Sequence, residues 1–118
     1  MTPPPEPPIA PLSELSPSEV AQRIENGKAI QLLDCRSHDE RTLATIEGSL
    51  HAPLQELSSA LESLYKYENK ELVVFCHHGI RSRQAAGILR EAGFEHVHSM
   101  SGGIDRWSLE VDNSVRRY

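Results

Sequence analysis

Two histidines, a glycine and an arginine follow a cysteine in "ELVVFCHHGIRSRQAAGILREAG", Glu71 to Gly93. Cys76 ends an apolar run, and a helical pattern begins near Arg81 or Ser82. The unpaired N–H groups and positive dipole end of that helix point back at the cysteine. Gly79 lets the loop curl further N–H groups inward as an anion-binding nest, and Arg81 adds a permanent positive charge. Each feature favours the thiolate, the nucleophilic form of cysteine. The spacing therefore points to covalent catalysis by Cys76. An inert thiol finishing a strand accounts for the cysteine but not for its neighbours.

Alternating elements of secondary structure must hold that loop. "ELVVFC" is uninterrupted and rich in β-branched residues, as expected of a central parallel strand buried on both faces. Ala85, Ile88, Leu89 and Ala92 mark one face of the helix after it, with Gly93 at its end. Upstream, "PLSEL" reads as a short edge strand. "SPSEVAQRIENG" reads as a helix with Ser16 as N-cap, Pro17 at the first helical position, Glu19 closing a capping box and Gly27 as the stop. "AIQLLDC" is a buried strand ending near Asp34, followed by one helical turn around Arg41 to Ala44. "GSLHAP" is a short strand. Leu54, Leu57, Leu61 and Leu64 predict a helix from about Leu54 to Tyr65. "HVHSM" is another strand, "SGG" a turn and "IDRWSL" a last helix, with Phe94 and Trp107 as core anchors. The alternation predicts an α/β fold: an open, mainly parallel sheet of about five strands with helices on both faces. Ligands bind such sheets beyond the carboxyl ends of the strands, where Cys76 stands.

Composition sets the outer bounds. The 118 residues fit one domain. "MTPPPEPPIAP" carries six prolines in eleven residues. Residues 1–11 are therefore expected to be an extended tail, and residues 12–118 the folded domain. A net charge of −5 speaks against generic nucleic-acid or anionic-membrane binding. No apolar stretch approaches the roughly 20 residues of a membrane span, and no basic and apolar leader opens the chain. A cytoplasmic location is expected. Cys35 and Cys76 are the only cysteines; a buried thiol plus a reactive one fits such a chain better than a structural disulfide. Cys76, His77, His78, His96 and His98 match no paired-ligand spacing, so no metal site is expected. Gly102-Gly103 reads as a turn, because the longer dinucleotide fingerprint is absent.

"CHHGIRS" resembles the active-site loop of single-domain rhodanese-like sulfurtransferases, Cys-x-x-Gly-x-Arg-Ser. "LLDCRSHDE" resembles the family's strand-end Leu-Asp-x-Arg with a downstream Glu. "IEGSLHAP" is similar to its Ile-x-Gly-Ala-x-x-x-Pro segment, and "GFEHVHSMSGGIDRW" to its Gly-Phe-x-x-Val and Gly-Gly-x-x-x-Trp close. Thr45 stands where the family often has His, and Ser49 where it has Ala. Four residues separate Cys76 from Arg81. Cysteine phosphatases of related architecture have one more, so the tighter ring here suits a single sulfur atom rather than a phosphate.

The resemblance implies that Cys76 takes a sulfane sulfur from a donor such as thiosulfate and passes it, as a persulfide, to cyanide or a thiol by ping-pong kinetics. It assigns the stabilising N–H groups to the loop, with His77, His78, Gly79, Ile80 and Ser82, and the electrostatic partner of the sulfur to Arg81. Arg81 could also brace the loop through backbone carbonyls. Many relatives carry a basic residue directly after the cysteine. His77 takes that place here, a residue that can carry a charge or lose it; its plain reading is an exposed loop residue. Asp34, Arg36 and Glu40 resemble supporting rim residues, with Arg36 and Glu40 read as an ion pair. Cys35 reads as core filling or as a thiol that resolves the persulfide. No cofactor is implied. The implied partners are a small sulfur donor, a thiol or cyanide acceptor and, as a further class, an acceptor protein; a monomer is expected. The rival readings are a persulfide carrier or regulatory binding module with little turnover, and an arsenate reductase or phosphatase.

Overall fold

Apolar runs of strand length alternate with capped amphipathic stretches, and the chain folds accordingly. The computed structural model describes residues 13–118. The proline-rich segment expected as an extended tail lies outside the described residues. In chain order the elements are β1 (Ser13–Leu15), α1 (Pro17–Glu25), β2 (Ile30–Asp34), α2 (His38–Leu43) and β3 (Leu50–His51). Then follow α3 (Leu57–Leu64), β4 (Glu71–Phe75), α4 (Ile80–Glu91), β5 (Val97–Met100) and α5 (Gly103–Glu110).

The five strands form one sheet in the order β1-β5-β4-β2-β3, and every pairing is parallel. β4 is central, as its unbroken apolar run requires: Leu72, Val73, Val74 and Phe75 are all buried. Its side chains alternate between two cores. Leu72 and Val74 face a core completed by Leu57 and Leu64 of α3 and Ala85, Ala86 and Leu89 of α4. Val73 and Phe75 face the opposite core, with Val20 of α1 and Ile104 and Trp107 of α5. Covering both faces leaves the carboxyl ends of the strands as the place where loops can build a site.

Local chemistry sets the helix ends. At α1, the Ser16 hydroxyl accepts from the Glu19 N–H at 3.1 Å and the Glu19 carboxylate accepts from the Ser16 N–H at 3.1 Å. The same reciprocal pair recurs at α2 between Ser37 and Glu40. This cap moves the second helix earlier than the turn expected around Arg41 to Ala44; Ala44 is extended, with φ −160°. The helix expected from Leu54 to Tyr65 is also divided. A 3-10 turn at Leu54–Glu56 follows Pro53, α3 comes next, and a second 3-10 turn covers Tyr65–Tyr67. Among the described residues no helix is long and apolar enough to cross a membrane.

Candidate active site

Cys76 follows the last residue of β4 and is buried. Three residues later, Gly79 turns the chain into α4 with φ +107°, a left-handed conformation that side chains other than glycine rarely adopt. A Cβ there would also press on the Gly102 amide nitrogen at 3.1 Å. The turn brings the Gly79 N–H to 3.0 Å and the Ser82 N–H to 3.4 Å from the Cys76 sulfur, with the Ser82 hydroxyl at 3.6 Å. These groups and the neighbouring Cys35 thiol set the acidity of Cys76. Hydrogen bonding from Cys35 lowers it most and burial opposes this; the Ser82 hydroxyl and N–H and the Gly79 N–H lower it further. The net shift is well below the ordinary thiol value of about 8.5. Cys35 moves the other way, because it donates to Cys76 and is buried beside it.

The loop's carbonyls are held on the other side. The N–H groups of Ile104 and Asp105, in the first turn of α5, donate to the Cys76 and His77 carbonyls at 2.8 and 3.2 Å. Gly103 makes this approach possible: a Cβ on it would collide with both carbonyl oxygens. The pair Gly102-Gly103, expected as a turn, is thus also a backbone-to-backbone contact. Ser99 of β5 joins from below, its buried hydroxyl 2.7 Å from that of Ser82. No sequence motif marks Ser99, and the doubled glycine by itself denotes only a turn.

Arg81 bonds neither sulfur nor loop carbonyl here. Its guanidinium makes a bidentate pair with the Glu40 carboxylate, at 2.5 and 2.9 Å. Arg81 pulls the Glu40 carboxyl far below the usual carboxylate range, burial opposes this, and the Tyr118 hydroxyl helps. The expected Arg36–Glu40 ion pair is therefore incorrect. Arg36 precedes α2 and turns inward, where it pairs with Asp34 at 2.9 and 2.8 Å. It reaches the Glu40 residue only through the backbone carbonyl, at 3.3 Å. Asp34 and Arg36 are fully buried; they support the loops from beneath rather than form a rim. The remaining Arg36 bonds go to the Ala44 carbonyl and the Tyr118 hydroxyl.

Tyr118 was not singled out by any motif. Its hydroxyl donates to Glu40 at 2.7 Å while accepting from Arg36 at 2.8 Å. Its ring stacks on His77 with centroids 4.0 Å apart, and the His77 Nε2 lies 2.9 Å from the Tyr118 carbonyl oxygen. His77 is consequently half-buried rather than an exposed loop residue. His78 is exposed, as is Ile80, which keeps 74% of its surface open at the start of α4.

The rhodanese-like domain model matches residues 16–110. The chain belongs to the rhodanese-like family. A human thiosulfate:glutathione sulfurtransferase is 34% identical over 101 residues, covering 75% of this chain and 87% of that one. YrkF of Bacillus subtilis, whose name is that of a candidate sulfur carrier protein, is 31% identical over 101 residues and 86% of this chain. The chain spans about half the length of that relative, 54%. The solved structure of a human single-domain sulfurtransferase, TSTD1, is 30% identical with a TM-score of 0.68 and covers 86% of this chain and 97% of that one. These relatives support sulfur transfer in general as the chemistry of the family to which the chain belongs.

In this rhodanese-like domain the space beside Arg81 is small, and Cys76 itself does not line it. Cys35, Ser37, Pro53, Leu54, Gln55 and Arg81 line a cavity of about 120 Å³. A larger groove of about 530 Å³, between residues 43–47 and 112–116, contains neither Cys76 nor Arg81, so size alone does not locate the chemistry. The rhodanese-like loop offers N–H donors to one sulfur-sized anion, a thiolate-favouring setting and a cationic guanidinium at the cavity wall. That combination can activate a sulfur nucleophile and hold one more sulfur atom on it.

Proposed function

We propose that the protein is a sulfurtransferase that moves a sulfane sulfur from a donor such as thiosulfate to a thiophilic acceptor, cyanide or a thiol, through a persulfide on Cys76. The observation that carries this reading is the convergence of the Gly79 and Ser82 N–H groups on the Cys76 sulfur. In the first half-reaction the thiolate attacks the outer sulfur of thiosulfate, the S–S bond breaks and sulfite leaves with its electron pair. In the second, the acceptor attacks the outer sulfur of the persulfide and Cys76 returns as thiolate. Two such steps give ping-pong kinetics.

Each residue has a role in this reading. Cys76 is the nucleophile, and the loop of His77, His78, Gly79 and Ile80 with Ser82 stabilises the anionic sulfur. Arg81 meets the anionic end of the donor after loosening from Glu40. Asp34, Arg36 and Glu40 hold the surrounding loops. The domain is taken as residues 12–118, working as a monomer in the cytoplasm, where both thiols stay reduced. A thiol of the glutathione class is a fitting acceptor, as in the name of the human relative.

A second reading is a sulfur carrier that hands its persulfide to a docked protein. The apolar, exposed Ile80 beside the loop favours it. Intact mass after incubation with thiosulfate tests the main proposal. A gain of about 32 Da that cyanide reverses, absent in Cys76→Ser, is expected, since cyanide removes a sulfane sulfur but not the oxygens of a sulfinic acid. No gain overturns it. A reversible gain without appreciable turnover on cyanide or glutathione selects the carrier.

A further inference from the structure

We propose that Cys35 is a second reactive sulfur, which discharges the Cys76 persulfide by forming a Cys35–Cys76 disulfide and releasing hydrosulfide. This rests on the persulfide reading above and adds a product that the reading does not contain. β2 and β4 are neighbours, with Asp34 opposite Phe75 in register. The Cys35 N–H donates to the Phe75 carbonyl at 3.0 Å, which carries the parallel ladder one residue past the strand ends. Cys35 and Cys76 thus occupy the next facing positions. Strand side chains alternate between faces, and both cysteines fall in the same core as Leu33 and Val74.

Neighbouring strands lie about 4.7–4.9 Å apart, within the roughly 4.4–6.8 Å at Cα that a disulfide accepts. Both thiols are free and buried, and the nearness of Cys35 contributes to the lowered pKa of Cys76. Cys35 also lines the 120 Å³ cavity with Arg81, so its side of the pair faces a small space with a cationic wall.

The step balances without an outside oxidant. The Cys35 sulfur gives up its proton and attacks the Cys76 Sγ. A bond forms between the two cysteine sulfurs as the bond from Cys76 Sγ to the outer sulfur breaks. That sulfur leaves with the electron pair, takes the proton and becomes hydrosulfide. It is reduced from sulfane to sulfide, and the two cysteine sulfurs are oxidised to the disulfide. A dithiol reductant then reopens the site; until it does, the nucleophile is locked. Acceptor present, the sulfur is transferred; acceptor absent, it is discharged and the enzyme closes.

The test is a single turnover. Reduced, reductant-free protein is mixed with limiting thiosulfate, sulfite release marks loading, and free hydrosulfide, cyanide-labile sulfur and cysteine-linked peptides are followed over time. The parent is expected to convert its loaded sulfur to about one equivalent of hydrosulfide with a Cys35–Cys76 peptide, whereas Cys35→Ser and Cys35→Val keep theirs cyanide-labile. If parent and variants alike retain cyanide-labile sulfur, Cys35 is a packing thiol and the inference is overturned while sulfur transfer stands. If sulfite is released from none, sulfur transfer itself has failed and the inference falls with it. A direct check uses the unloaded parent: one equivalent of diamide must yield the same linked peptide, and its absence overturns the inference even if neither variant folds.

Discussion

The Arg36 guanidinium has five N–H donors, and they meet Asp34, Tyr118 and the carbonyls of Glu40 and Ala44. Such a group is tolerable in the interior only with its counter-charge. Asp34→Ala is therefore expected to lower stability by about 3–5 kcal/mol, measured by urea unfolding, because it strands a buried cation. The Cys76 sulfur depends on donors in a different way: they stabilise its charged form, so removing one raises its pKa. The thiolate absorbance of the parent should titrate well below the ordinary value of about 8.5, and the midpoint of Ser82→Ala should move upward. An unmoved midpoint would remove Ser82 from the acidity of the site. Cys76, Gly79 and Ser82 were legible in the sequence because their geometry is local, a strand end, a left-handed glycine and a helix start within seven residues. Arg81 and Glu40 are 41 positions apart. Only the folded sheet brings them together, and reading Arg36 and Glu40 as neighbouring rim residues gave the wrong pair, since Arg36 turns inward to Asp34.

Helix α5 acts on the loop from behind: its first N–H groups turn the Cys76 and His77 carbonyls away from the sulfur, leaving the amides to face it. Gly103→Ala forces these two segments apart and places a side chain at φ +62°. Displacing reacting groups by about 1 Å costs on the order of 10²-fold in rate. A fall of about that size in kcat/KM, with secondary structure intact by circular dichroism, is expected; unchanged kinetics would mean the loop holds its shape without α5. The strands and most helices were readable from apolar runs and caps. The start of α2 was misplaced although Ser37 and Glu40 have the same spacing as the correctly read box at Ser16 and Glu19. The role of α5 was unreadable, because a doubled glycine denotes a turn until the backbone that crosses it is known.

At the scale of the whole molecule, the parallel α/β architecture followed from the order of the elements, whereas the closing of residues 112–118 over the loop did not. That closure depends on Tyr118 bridging Arg36 and Glu40, contacts separated by 82 and 78 positions. It also links stability to pH. The Glu40 carboxyl is held below its unfolded value, so its contribution is present above about pH 4.3 and is lost as pH falls towards the folded pKa. Melting temperatures of the parent and Glu40→Gln should therefore differ most near pH 7 and begin to converge only as pH falls below about 4; a gap that stays constant into stronger acid would assign the effect to packing. The pairing of β1 with β5 has a different consequence. Ser13, Glu14 and Leu15 come first among the described residues, yet their partners are His98, Ser99 and Met100. Protein synthesis is vectorial, so an emerging chain holds β1 without this partner until β5 has left the ribosome. The Ile104 and Asp105 amides that brace the cysteine loop are made later still, so the nucleophile cannot be set in place until α5 has followed.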